Sequence, residues 1–132
     1  MKSIKTPVIS VSQPIGDFFL GKVRASELKG AVEIRRKSEN REGIQRDLIN
    51  DRLKEIKDYC SDVDATFPTS VILSIDTAKN GVECNIENGY LHLEFIDTFG
   101  SVIDGQHRLE GIWRSGKADL FELPVVFTIN PT

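Results

Sequence analysis

The sequence predicts an α/β (α+β) chain in which β-rich runs alternate with helical stretches, and three features point there. Val71–Ile75 is a short, continuous apolar run of the kind that fills a buried strand. Ile49, Leu53, Ile56 and Cys60 recur at helical spacing and mark one face of a helix. Between a strand-like run ending at Ile103 and a helix-like run beginning at Leu109 lies a polar turn, Asp104-Gly105-Gln106-His107-Arg108. In α/β proteins such a junction commonly binds a phosphate or a nucleotide.

The elements follow in order. Pro7–Val11 reads as a strand, Pro14 and Gly16 break it, and Phe18–Val23 resumes. Ser26 is placed to cap a short helix carrying Leu28, Ala31 and Val32. Lys37–Gly43 is polar throughout and reads as a loop. Asp47 is placed to cap the second helix, whose apolar face is core. After Phe67-Pro68-Thr69-Ser70 comes the Val71–Ile75 strand, then a turn over Asp76–Gly81. Val82–Ile86 and Tyr90–Ile96 alternate around Asn88-Gly89, a strong hairpin signal. Thr98–Ile103 leads into the polar turn. The helix beyond it carries Leu109, Ile112 and Trp113 and stops near Gly116. Leu123–Ile129 is a last strand, with Pro124 marking its beginning or an edge.

Length and composition bound the function. The 132 residues suit a single domain, 1–132. The end at Asn130-Pro131-Thr132, directly after a strand, reads as an N-terminal fragment of a longer protein. No apolar run approaches the roughly 20 residues of a membrane helix, and no signal peptide follows Met1. Cys60 and Cys84 have no CxxC spacing, so reduced thiols and a cytoplasmic setting are the default. The net charge of −3 argues against a chain coated in positive charge, but it is unevenly spread. Residues 22–54 hold ten basic and six acidic side chains, Arg35 and Arg36 among them, while the remainder carries −7. That stretch reads either as a face for a phosphate backbone or as a solvated, salt-bridged surface.

The polar turn carries the densest chemistry. A helix opening near Gly105 leaves the amides of Gly105, Gln106 and His107 as donors for an anion. Arg108 offers a bidentate fork to phosphate, and His107 can donate or move a proton near neutral pH. Gln106 can bond a base, a ribose or an attacking water. Asp104 would repel bare phosphate. It fits as the helix cap, as a partner orienting His107 or Arg108, or as the ligand of a Mg²⁺ that escorts the phosphate. Gln45 and Arg46, at the N-terminal edge of the second helix, form a second place from which an anion could be reached. An Asp-Gly turn capping a helix also needs no function at all.

Asp104-Gly105-Gln106-His107-Arg108 spells the signature of the DGQHR-domain family, which includes the DNA sulfur modification protein DndB and related proteins of DNA-modification gene clusters. The resemblance extends through Gly43-Ile44-Gln45-Arg46, the helix with Ile56 and Tyr59, and Phe67 to Leu73, covering roughly residues 15 to 129. The family looks like a branch of the ParB/sulfiredoxin-like superfamily. The resemblance therefore implies a compact fold with a small mixed β-sheet flanked by helices, and a phosphate-binding turn at Gly105 to Arg108. Gln106 stands where sulfiredoxin carries its cysteine, so sulfiredoxin chemistry is not expected.

Three functions compete at this stage. The first is a DNA-associated module of a bacterial DNA-modification or defence system. It would bind DNA through the basic stretch, bind a nucleotide at the turn, and act with other modification proteins, regulating that system. The second is a Mg²⁺-dependent nucleotide hydrolase or nuclease, with His107 as acid or base, Arg108 holding transition-state charge and Asp104 holding the metal. The third is a non-catalytic protein-interaction module or transcriptional repressor in which the turn is structural.

Overall fold

The computed structural model describes residues 1–34 and 43–130, with residues 43–48 given by their backbone alone. The chain opens with β1 (Lys2–Pro7), β2 (Ile9–Gln13) and β3 (Gly16–Arg24), then passes through the short α1 (Ala25–Leu28) into β4 (Val32–Ile34). It continues with α2 (Gly43–Tyr59), β5 (Val71–Ile75), the hairpin of β6 (Glu83–Glu87) and β7 (Tyr90–Phe95), and β8 (Gly100–Asp104). Next come α3 (Gln106–Arg114), a 3-10 turn at Ala118–Leu120, and β9 (Glu122–Ile129).

The fold is mixed α/β, as expected, but its strands form two sheets. A six-stranded mixed sheet has the order β2-β3-β9-β5-β8-β4, and a three-stranded antiparallel sheet has the order β1-β7-β6. The second sheet exists because the chain bends at Val8. What reads as one strand over Pro7–Val11 is the end of β1 in one sheet and the start of β2 in the other. Thr6, buried beneath this bend, accepts the Lys22 amide at 3.2 Å and so ties β1 to β3. In the hairpin, Asn88 and Gly89 both take positive φ, 53° and 78°, as a two-residue turn between twisted strands demands.

The core lies on one face of the larger sheet. Alternate residues of β5 (Val71, Leu73, Ile75) and β9 (Leu123, Val125, Phe127) are buried there with Leu28, Leu109 and Ile112 from the helices. Leu91, Leu93, Phe95 and Phe99 extend this core beneath the smaller sheet. Pro124 is the third residue of β9 and not its first; it precedes Val125, where pairing with β5 starts, so it lies beside one neighbouring strand only.

Two helix starts differ from expectation. Ser26 does not cap the first helix. The cap position is Arg24, whose amide donates to Glu27 Oε1 at 3.3 Å, and Ser26 lies inside the single turn. Ala31 and Val32 lie beyond that helix, because the Ala31 carbonyl accepts the Phe99 amide at 2.9 Å and draws the chain into β4. Asp47 does not open the second helix, which begins at Gly43. Leu53 and Cys60 of the expected apolar face are buried, and Ile56 packs partly buried against the core.

Candidate functional site at the β8–α3 turn

The turn begins with a defect in the sheet. Ile72 pairs with Asp104 while Leu73 pairs with Val102, leaving Ile103 as an extra residue on β8. Such a bulge bends the strand and redirects its last side chains. Ile103 and Asp104 are accordingly exposed although Ser101 and Val102 are buried. Gly105 then takes φ 97° and ψ 15° at the cap position of α3. This left-handed conformation reverses the chain within one residue and strains any residue with a side chain.

Asp104 is therefore not the helix cap. Gly105 occupies that position, and among the described residues no side chain bonds the first-turn amides of α3. The Gly105 carbonyl accepts the Leu109 amide at 3.0 Å, so the helix is formed from its first possible bond. The amides preceding Leu109 have no partner within the helix, and the macrodipole adds partial positive charge at the same point. The nine residues of α3 are anchored by Leu109 and Ile112 in the core and by Trp113, whose indole N–H donates to the Ala25 carbonyl at 2.8 Å.

The polar side chains of the turn have distinct partners. Gln106 Nε2 donates back to the Ile103 carbonyl at 3.0 Å, stapling the bulge to the helix. Arg108 Nη1 donates to the Thr69 carbonyl at 2.8 Å, so one of its five N–H groups is engaged across 39 residues of sequence. His107 is half-buried and Asp104 exposed. Among the described residues no group of three or more His, Cys, Asp or Glu converges as a metal cage.

Arg108 brings a second element to the site. The loop before β5 is fixed by aromatic packing: Phe67 sits edge-on to Tyr59 and Phe121, with centroids 5.3 Å and 5.1 Å apart. The Tyr59 hydroxyl accepts the Thr66 amide at 2.8 Å. The Thr69 carbonyl is thus presented by a braced loop. The sequence signals this loop only as a shared run of residues. Neither the Arg108 contact nor the β8 bulge leaves a pattern in the amino-acid order.

Of the other expected site residues, Gln45 and Arg46 lie in the backbone of the first turns of α2, and Arg35 and Arg36 lie outside the described residues. Among the described basic residues of the 22–54 stretch, Lys22 and Arg24 have internal partners. Lys22 pairs with Glu122 at 3.3 Å, and Arg24 Nη1 donates to the Asp119 carbonyl at 2.9 Å. A separate shallow concavity on the outer face of the smaller sheet, lined by Lys5, Asn85, Glu87, Asn88, Tyr90 and His92, includes no residue of the turn. No helix among the described residues is long and apolar enough to cross a membrane.

Neither the curated proteins nor the solved structures offer a match to this chain. A family model does match it, over residues 6–131, from the last residues of β1 through the end of β9 and including the whole β8–α3 turn. The chain belongs to the DndB family, whose members are described as DNA-sulfur modification-associated.

Proposed function

We propose that this protein is a DNA-binding component of a DNA-sulfur modification system and that its β8–α3 turn holds a phosphate, either of a nucleotide or of the DNA backbone. The observation carrying this reading is the turn itself. A nine-residue helix opens behind a left-handed glycine that gives its first amides no side-chain bond, with Arg108 and His107 in its first turn. This geometry suits an anion. The turn would then correspond to the phosphate-binding turn of ParB/sulfiredoxin-like proteins, a kinship supported by the strand–turn–helix order. Asp104, exposed at the lip, would meet the phosphate through an escorting Mg²⁺. Arg35, Arg36 and Arg46 would supply positive charge and Gln45 a hydrogen-bonding amide to DNA, a role that Lys22 and Arg24 serve less well because they are held by Glu122 and Asp119.

The test is a titration of duplex DNA against wild type, Arg36→Ala and Arg108→Ala at several salt concentrations. Wild-type affinity should fall with salt, with a log–log slope of about −0.9 per phosphate contacted. Each variant should weaken binding uniformly across sequences and flatten the slope by about one contact. Binding that ignores salt, or no binding, overturns the DNA reading. A parallel titration with nucleotides and Mg²⁺ tests the turn: an Arg108→Ala variant that binds them as wild type does removes Arg108 from the phosphate site.

A further inference from the structure

The edges of the two sheets are not alike. Edge strands expose unpaired backbone donors and acceptors, and proteins ordinarily blunt them with charge, proline or short length. β1 carries Lys2, Lys5 and Pro7; β6 carries Glu83 and Glu87; β4 has three residues and includes Glu33. β2 has none of these protections. It is five residues long, Ile9-Ser10-Val11-Ser12-Gln13, uncharged and free of proline, and it ends the larger sheet with β3 as its single neighbour.

The apolar surface beside this edge is continuous with it. Ile9 lies opposite Leu20, Leu20 opposite Val126, and Val126 opposite Ile72, forming one row across four strands on the face away from the core. Val11 and Phe18 form the next pair on the same face. Ile9 is 68% exposed and Leu20 37% exposed, while Val11, Phe18, Val126 and Ile72 are half-buried. An apolar row that reaches an unprotected edge marks an interaction surface.

Charge selects the occupant. Antiparallel pairing of a strand with its own copy sets like against like around a two-fold axis. Directly opposed like charges are destabilising in a sheet. On that rule β1, with two lysines, and β6, with two glutamates, disfavour self-pairing. β2 meets its copy without a charge, even though the chain as a whole carries −3.

We propose that β2 is a self-association edge, pairing antiparallel with β2 of a second copy of this chain across a two-fold axis at Val11. Ile9 then faces Gln13 of the second copy, Ser10 faces Ser12, and Val11 faces Val11. The Val11–Phe18 pairs of the two sheets meet at the axis on one continuous face, and each Ile9 row ends against Gln13 of the other copy. This inference is independent of the DNA reading.

The test is the mass of the intact chain by analytical ultracentrifugation across a dilution series, for wild type, Val11→Lys, Val11→Glu and Val11→Thr. Wild type and Val11→Thr should reach twice the 14.8 kDa chain mass as concentration rises. Val11→Lys and Val11→Glu should each stay at one chain mass, and an equimolar mixture of the two should recover the doubled mass. Circular dichroism confirms that each variant is folded. Wild type that remains at one chain mass at every concentration overturns the proposal whatever the variants do. A folded Val11→Lys that still doubles, or a mixture of folded variants that does not, overturns the Val11-centred pairing.

Discussion

Gly105 and Arg108 do different work in the same turn. Arg108 reads in the sequence as a ligand fork, yet the structure gives one of its N–H groups to Thr69. It therefore braces the loop before β5 whether or not a phosphate is present. Gly105 sets the direction of the turn. An added Cβ would sit 3.3 Å from both methyl carbons of Val71 and would force φ 97° on a residue that resists it. Gly105→Ala should lower stability by about 1–2 kcal/mol. Gly105→Asn should recover part of that loss, because asparagine tolerates the left-handed region better. Denaturant midpoints of the three proteins check this, and equal losses for Ala and Asn would show that Val71, rather than φ, sets the constraint.

At the scale of elements, the site depends on how closely α3 can lie against α2. Gly111 makes the approach: a Cβ there would fall 2.5 Å from Ile56 Cβ and 3.3 Å from the Leu53 carbonyl. Unstrained carbon contacts are near 3.5–4.0 Å. Helix propensity alone favours Gly111→Ala by about 1 kcal/mol, whereas overpacking a tight interface costs about 1–3 kcal/mol. The expected outcome is a net loss of stability; Ile56→Ala removes Cγ2 but leaves Cβ in the way, so relief is expected on adding Ile56→Gly, and a double-mutant cycle by urea denaturation measures it. The elements also show where the sequence was readable. Asn88-Gly89 and the apolar run of β5 declare themselves because turn chemistry and burial act locally. β1 does not, since Ile4 and Thr6 are its only buried residues and two positions make no visible alternation. The starts of α1 and α2 were misplaced because Ser26 and Asp47 are good caps in isolation; at α1 the Ala25 amide donates to the Phe121 carbonyl and fixes the boundary from outside, and α2 begins at Gly43, before Asp47. At the site, all five residues of the turn were legible as a cluster. The bulge at Ile103, the cap at Gly105 and the Thr69 contact were not, because each depends on a partner strand or loop.

At the scale of the whole molecule, burial of the two cysteines couples stability to alkaline pH. Burial pushes the Cys60 thiol above its ordinary value, with a hydrogen bond to Ser115 and the charge of Lys117 pulling less strongly the other way. Burial alone raises Cys84. Both groups hold their protons more tightly in the folded state than in the unfolded one. Their contribution is thus fully present below the ordinary thiol range and is lost as pH rises through it toward the raised folded values. Urea midpoints should be insensitive to these groups near neutrality and fall at alkaline pH, with a shallower fall in Cys60→Ala; an unchanged slope in that variant would clear Cys60 of the effect.

The strand order of the larger sheet also has a temporal meaning. β9, the last strand, is inserted between β3 near the start of the chain and β5 in its middle. β1 must likewise wait for β7. During synthesis neither sheet can close from the front. The N-terminal strands leave the ribosome with their pairing edges and apolar faces open, and β3 gains its core-side neighbour only once residues 122–129 have emerged. Distant pairings of this kind fold slowly and leave open edges exposed to aggregation until β9 is in place.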